Sequence, residues 1–226
     1  MASSDLTLPE ELMLLALSDR KGVKRGQFVD MALAGAGLSE LLLRGIVYEL
    51  PGEKNKLAVK PEGRTGDVFL DRCLEIIRAK GLEGQAKTWV QRIGSRSGIS
   101  KPVSEALVQK HVLTRERQKY LWFFERTVYP EMDPSAELRL KERLASAMFS
   151  TGMVSPRDAV LIALANQTGL LRLNFDTALL KEHKARIKEI SKGDHLAATA
   201  AVDAIRAVQT AVMIAAIMPG VVVSAS

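Results

Sequence analysis

Apolar residues recur every three or four positions along most of the chain, which is the spacing of amphipathic and buried helices. The first run, EELMLLAL, follows Thr7 and Pro9, residues that are typical of a helix start. The same periodicity predicts further helices at residues 28–44, 67–80, 82–93, 101–110, 134–149, 155–167, 176–190 and 195–218. Within the helix at 28–44, Gly35 and Gly37 are expected to break or bend the chain.

Two segments carry short apolar-rich runs separated by turn residues, which is the pattern of a β-hairpin. The first, IVYELPGEKNKLAVK, has its two runs on either side of a Pro-Gly turn. In the second, HVLTRERQKYLWFFERTVYP, we place one strand near residues 112–113 and the other near 120–124, joined by a basic connection. We therefore predict a mainly α fold, a single compact helical domain spanning residues 1–226 with one or two small β-hairpins.

Length and composition agree with a globular protein. The chain has 226 residues, 47% of them hydrophobic and 26% charged, which suits one large domain or two small ones. The start, MASSDLTLPEE, lacks the basic and apolar regions of a secretory signal, so none is expected. Cys73 is the only cysteine, which excludes an intrachain disulfide and fits a reducing cytoplasm. The uncharged run from Ala207 to Val223 is broken by Pro219, so we prefer a buried core helix to a membrane anchor.

The positive charge of the chain is concentrated in one segment. The net charge is +6, and residues 76–126 carry 11 Lys or Arg against 4 Asp or Glu, so the whole excess lies there. Such a concentration fits an anionic partner, either nucleic acid or a membrane surface. The alternative is a solvated face without a partner.

Aromatic residues cluster at the end of this basic segment, in KYLWFFERTVYP (119–130). Five of the eleven aromatics lie there: Tyr120, Trp122, Phe123, Phe124 and Tyr129. In the predicted second strand, Tyr120, Trp122 and Phe124 share a face that would ordinarily pack against a helix, and Phe123 points the other way. Three interpretations stay open: complete burial, a self-association surface, or contact with a membrane.

Few residues suggest chemistry. His111, His183 and His195 lack the spacing of metal ligands, and no phosphate-binding loop, dinucleotide fingerprint or nucleophile elbow is present. Asp67 and Asp71 lie four apart and could form a carboxylate pair on one helix face. We prefer a structural interpretation, with Asp67 at the positive helix end and Asp71 solvated. We therefore expect a protein that is not an enzyme and uses no metal or cofactor.

Two binding functions fit the remaining features. In a winged-helix protein, the tip of the first hairpin (54–56) would touch phosphate, but the recognition segment LAGAGLSELLLRG has few side chains able to read bases. In a peripheral membrane protein, each basic residue near the surface contributes about 1 kcal/mol, and an inserted aromatic adds roughly 1.5–3 kcal/mol. A few of each suffice for reversible attachment.

The segments LTLPEELMLLALSDRKG, LSELLLRGIV, TGDVFLD and HVLT, in this order, resemble the Golgi phosphoprotein 3 family. The likeness runs from Leu6 to the apolar carboxyl-terminal segment. It implies a mostly helical single domain with a projecting hairpin associated with self-association and membrane contact. It also implies peripheral membrane binding, since eukaryotic members recognise phosphatidylinositol 4-phosphate.

The lipid-binding residues of the family carry over poorly: basic charge is retained nearby, but the headgroup-specific set is not. The family has a Trp and an Arg after its DRxG-type turn; this chain has no Trp there, and the Arg position matches Ala34. Two further family arginines match Ser97 and Ser100. The candidate headgroup-binding set is therefore Arg25, Gln27, Phe28, Arg96, Ser97, Ser100 and Lys101. The candidate hairpin set for membrane contact or self-association is Trp122, Phe123 and Phe124.

Together these features predict a cytoplasmic, peripherally membrane-associated protein that binds an anionic phospholipid, phosphatidylinositol 4-phosphate or a similar lipid. The alternative is a protein-interaction module whose aromatic hairpin forms a homo-oligomer. Nucleic acid is the least favoured partner. MASSD has no counterpart of the Arg-rich tail that eukaryotic family members use in coat recruitment, so sorting of Golgi enzymes is not implied.

Overall fold

The computed structural model describes residues 6–18, 21–53, 55–120 and 124–192. The helices in these residues are α1 Leu8–Ala16, α2 Val29–Leu43, α3 Val68–Arg78, α4 Ala86–Gly94, α5 Lys101–Gln109, α6 Pro134–Phe149, α7 Pro156–Gln167, α8 Leu170–Asn174, α9 Thr177–Glu182 and α10 Lys184–Lys192. The strands are β1 Val47–Glu49, β2 Lys56–Val59, β3 Glu83–Gln85, β4 Glu116–Tyr120 and β5 Phe124–Val128. The predicted fold class, mainly α with small β-hairpins, is confirmed.

The centre of the fold consists of α1 and α2, which are mostly apolar and are buried along all of α1 and from Ala32 to Leu42 of α2. α1 packs against α2, α5 and α7, and α2 packs in turn against α3, α4 and α7. Thr7 precedes α1 as its N-cap and its N–H donates to Glu10, as the sequence predicts. Because α2 is buried from Ala32 to Leu42, most of the segment that a winged helix would insert into DNA is enclosed by the fold, and exposed surface begins only at its end, at Arg44.

The two glycines of α2 lie inside an unbroken helix, so the predicted break was wrong. A Cβ on Gly37 would lie 2.8 Å from the Phe69 ring and 3.3 Å from the sulfur of Cys73. The missing side chain therefore lets α3 approach α2 closely. Sequence periodicity alone does not separate a glycine that ends a helix from one that makes room for a neighbour.

The first predicted hairpin is confirmed and has a third strand. β1 pairs antiparallel with β2, with Tyr48 opposite Ala58, and β2 pairs antiparallel with β3, with Ala58 opposite Glu83. The prediction of a helix over 82–93 was wrong at its start, because residues 83–85 form β3 and α4 begins at Ala86. Hydrogen bonding to β2 outweighs local helix preference at these polar residues.

The second hairpin is present, but its predicted strand positions were wrong. The strands are β4 and β5, with Gln118 opposite Arg126 and Tyr120 opposite Phe124, so Arg117 and Lys119, which were placed in the connection, belong to a strand. Most of the described hairpin side chains are exposed, and without a buried face the sequence shows no alternation that would fix the register. Trp122 and Phe123 fall between the two strands in the sequence and lie outside the described residues.

The remaining predictions are mostly confirmed. α3, α5, α6 and α7 match the predicted helices; the predicted helix 176–190 is two helices, α9 and α10, that meet at His183, and α8 was not predicted. The segment 195–218 lies outside the described residues. Asp67 caps α3 by accepting from the Leu70 N–H, and Asp71, expected to be solvated, accepts from the N–H and hydroxyl of Thr65.

Neither a spanning helix nor a metal cluster is found in the part of the chain that the structure describes. No helix there is long and apolar enough to cross a bilayer. No group of three or more His, Cys, Asp or Glu side chains there is placed to hold a metal ion. Cys73 is buried as a free thiol.

A buried ionic network fixes the amino end of α1. Glu11 accepts from Arg143 at 2.8 Å and from Arg157 at 3.1 Å. Glu40 of α2 accepts from the Leu8 N–H and from Arg157, both at 2.9 Å, and Arg157 also donates to the carbonyl of Leu6. One guanidinium of α7 therefore joins α1 and α2 at the centre of the fold.

Candidate functional site

The predicted headgroup-binding residues fall on two loops that the fold brings together. The α1–α2 loop carries Arg25, Gln27 and Phe28. The α4–α5 loop carries Arg96, Ser97 and Ser100, and Lys101 follows as the first residue of α5. The Lys24 ammonium lies 3.5 Å from the Ser100 hydroxyl oxygen, a contact between residues 76 apart in sequence. We call this region, residues 24–31 and 94–101, the two-loop junction.

Backbone hydrogen bonds set the shape of the first loop. Lys24 forms an antiparallel bridge with Leu17, and the Gln27 N–H donates to the Thr168 carbonyl at 3.0 Å, at the turn between α7 and α8. The Arg25 guanidinium donates to the carbonyl of Leu17 at 3.1 Å. Arg25 therefore stabilises its own loop, whereas Gln27 is exposed at the junction.

Phe28 has an unusual backbone conformation for an aromatic residue. It is the N-cap of α2 with φ 52° and ψ 29°, in the left-handed region, and its side chain is 43% exposed. A non-glycine residue in this region costs roughly 1–2 kcal/mol and is retained where the surroundings fix it, often at functional sites. The neighbouring bond from Gln27 to Thr168 and the buried Val29 provide those surroundings.

A cavity of about 370 Å³ opens at the two-loop junction, between the end of α4 and the start of α2. Its lining consists of Lys24, Gly26, Phe28, Val29, Asp30, Met31 and Gly94. A Cβ on Gly94 would lie 2.5 Å from the sulfur of Met31, so the two helices meet closely where the cavity begins. A volume of this size is within the range of small-ligand sites.

The charges at the cavity are partly paired. Lys24 forms an ion pair with Asp30 at 2.7 Å, and the two side chains are 38% and 43% exposed. Arg96 and Lys101 are exposed, and among the described residues neither side chain has an ion-pair or hydrogen-bond partner. The junction therefore presents two cations available to an anion and a third that is shared with a carboxylate.

Of the lining residues, sequence reasoning identified Phe28 and missed the other six: Lys24, Gly26, Val29, Asp30, Met31 and Gly94. A signal was present in KGVKRGQFVD, where glycines and basic residues separate two apolar helices. Gly94 carries no such signal, because it ends a helix elsewhere in the chain. Ala34, which matches a family arginine, is buried within α2 and does not line the cavity.

The second candidate site, the β4–β5 hairpin, is fixed to the body at its base. Phe124 opens β5, and the Tyr129 hydroxyl donates to Glu105 of α5 at 3.1 Å. Burial, together with this hydrogen bond, raises the pKa of Tyr129 to about 12. The Tyr129 N–H donates to the Gly22 carbonyl at 3.0 Å, so the α1–α2 loop contacts both the cavity and the hairpin base.

Comparisons with known proteins identify relatives of this chain. The model of the Golgi phosphoprotein 3 (GPP34) family matches residues 8–208. Vacuolar protein sorting-associated protein 74 of Schizosaccharomyces pombe is 27% identical over 165 residues, which cover 64% of this chain and 49% of that protein. The chain thus spans about half the length of this curated relative.

Proposed function

This chain belongs to the Golgi phosphoprotein 3 family, and on that premise we propose that it is a non-catalytic peripheral membrane protein that binds anionic phospholipid at the two-loop junction. The observation that carries the proposal is the open cavity of about 370 Å³ with Lys24 in its lining and Arg96 and Lys101 on the adjoining loop and helix start. A phosphate group is the anion that such a set of donors suits.

Phe28 supports attachment to a membrane surface. Its ring is exposed at the cavity, and its backbone keeps the unfavourable left-handed conformation with φ 52°. Entry of one aromatic ring into the lipid interface contributes roughly 1.5–3 kcal/mol, and each nearby basic residue about 1 kcal/mol. These contributions are enough for reversible binding.

Phosphatidylinositol 4-phosphate is the headgroup that the family resemblance suggests, and it is one lipid in the test. Phe28 lies near the position of the family tryptophan, and Ser97 and Ser100 match two of its arginines. The cations that remain are Arg96 and Lys101. We therefore propose anionic phospholipid as the ligand class, with the preferred headgroup to be read from a vesicle panel.

Replacing Arg96 and Lys101 together by alanine is expected to weaken binding to anionic vesicles about thirtyfold. The reason is the loss of two surface cations, each contributing about 1 kcal/mol near an anionic bilayer. Vesicle co-flotation over a titration of lipid measures the effect, with phosphatidylcholine alone as the uncharged reference and phosphatidylinositol 4-phosphate among the anionic lipids.

The matched control removes the same charge from α10, by changing Lys184 and Lys188 to alanine. Both side chains are exposed, and α10 packs against α6, α7 and α9 rather than against the junction. If both double variants lose affinity equally, binding follows net charge and not the junction. If the unaltered protein floats with none of the anionic vesicles, the proposed function is wrong.

The alternative function is self-association through the β4–β5 hairpin, and one observation favours it. The two strands contact each other extensively but no other described element to a comparable degree. An isolated two-stranded hairpin is marginally stable in water, so a partner surface would stabilise it.

Changing Trp122 and Phe123 to serine is expected to dissociate an oligomer built on this hairpin while lipid binding persists. Light scattering after size-exclusion chromatography measures the mass. Tyr48→Ser, at an exposed aromatic of β1 in the first hairpin, serves as the control. A monomeric unaltered protein would contradict the self-association function, and loss of vesicle binding in the hairpin variant would place membrane contact there instead.

A further inference from the structure

The lining of the cavity contains one full cation and one full anion, and they contact each other. The Lys24 ammonium lies 2.7 Å from a carboxylate oxygen of Asp30, and on its other side it lies 3.5 Å from the Ser100 hydroxyl. Asp30 lies in the first turn of α2, where the positive helix end favours a carboxylate, and from there it lines the same cavity as Lys24.

The ion pair is weak enough for a ligand to rearrange it. Both side chains are more than a third exposed, and exposed ion pairs contribute about 0–1 kcal/mol. A phosphate that approaches Lys24 also approaches Asp30, which repels it as a like charge. A carboxylate can only accept hydrogen bonds, so a ligand offsets that repulsion when it presents a donor to Asp30.

We propose that Asp30 is a selectivity residue of this site. It admits phospholipids whose headgroup carries hydroxyl groups next to the phosphate, such as an inositol or glycerol headgroup, and it disfavours those that present phosphate alone. The inference rests on the proposed lipid-binding function and names the headgroup class. Specificity of this kind uses a repulsive element against the wrong ligand as well as attraction to the right one.

The experiment compares vesicles containing phosphatidylinositol with vesicles containing phosphatidic acid at equal mole fraction. Phosphatidic acid has a phosphate monoester and carries at least as much charge per lipid, so surface electrostatics alone would favour it. The unaltered protein is expected to prefer phosphatidylinositol. Asp30→Asn is expected to reduce that preference about fivefold, because binding to phosphatidic acid rises when a like charge is removed.

Glu75→Gln is the control, since it makes the same change in net charge at an exposed side chain on the solvent side of α3. Lys24→Gln is expected to weaken binding to both lipids, which shows that the phosphate lies at the ion pair. Thermal melting of each variant establishes that it is folded.

The inference is overturned if Asp30→Asn and Glu75→Gln give the same lipid preference, or if Lys24→Gln binds as the unaltered protein does. Failure of the unaltered protein to bind either vesicle has a different meaning. That result rejects the proposed function itself, so the two failures are distinguishable.

Discussion

Replacement of Arg157 by methionine is expected to lower the free energy of unfolding by about 3 kcal/mol. Methionine retains much of the length and apolar volume of arginine, so the change removes mainly charge and hydrogen bonds. Glu11 and Glu40, 4% and 5% exposed, would each lose a partner inside the core. The expected loss lies at the lower end for a broken buried ion pair because the Arg157 side chain is 29% exposed.

Urea unfolding measures this effect, and two further variants show its origin. Arg172→Met, at an exposed position on α8, is expected to change stability by no more than about 0.5 kcal/mol. Addition of Glu11→Gln to the Arg157 variant removes one of the two buried charges that have lost Arg157 as a partner, and it should restore part of the loss. If the double variant is no more stable than the Arg157 variant, lost packing and not lost charge pairing accounts for the destabilisation.

The loss of unfolding free energy in the Arg157 variant is also expected to depend on pH. Burial raises the pKa of Glu11 above its ordinary value even with Arg157 and Arg143 beside it. Burial also opposes ionisation of Glu40, but the Leu8 N–H, Arg157 and Arg44 together outweigh it and hold its pKa below the ordinary value. Without Arg157, both pKa values move upward in the folded state.

The direction of this pH dependence follows from which state binds more protons. A carboxyl whose pKa is higher in the folded state than in the unfolded state stabilises the fold as the pH falls through the folded value. The difference in stability between the unaltered protein and the variant should therefore narrow as the pH falls from neutral toward the ordinary pKa of a glutamate, about 4.3. A constant difference over this range would contradict the assignment to Glu11 and Glu40.

Gly22→Ala is expected to destabilise the protein by about 3 kcal/mol or more and to separate the α1–α2 loop from the hairpin base. Gly22 is buried with φ +56°, and a Cβ there would overlap the carbonyl carbon of Tyr129 and the nitrogen of Pro130. Backbone atoms cannot rotate away as a side chain can, so the strands of the hairpin must shift. The expected readout is a lower melting temperature together with faster proteolysis at the hairpin.

Gly45→Ala is the matched control for this substitution. Gly45 has a similar φ of +63°, but a Cβ there has nothing within 4 Å. Its expected cost is therefore the conformational one alone, about 1–2 kcal/mol. Equal losses in the two variants would show that the close contact between Gly22 and Tyr129 is not important for stability.

Most helices could be predicted from the sequence because their apolar faces repeat at the helical period. The pattern failed where a neighbour decided the structure: residues 83–85 form a strand because β2 offers them hydrogen bonds, and Gly37 stays helical because Phe69 packs against it. The strands of the second hairpin were misplaced for a related reason. Its exposed polar side chains leave no apolar alternation to fix the register.

The candidate site could be predicted only in its general location. The family resemblance pointed to residues 25–28 and 96–101, and the fold does bring these loops together through Lys24 and Ser100. Asp30 and Gly94 were missed, because neither has a local pattern that marks it as part of a cavity. Their positions depend on how the end of α4 meets the start of α2.

The sequence by itself determined the family, the mainly helical class and the segment where positive charge accumulates, since these depend on local periodicity, residue order and composition. Only the tertiary structure decided which cations lie together, which one is already paired with a carboxylate, and where the cavity opens. The physical reason is that electrostatic interactions and cavities depend on distances in space. Residues 24 and 100 become neighbours only when α1, α2, α4 and α5 pack against one another.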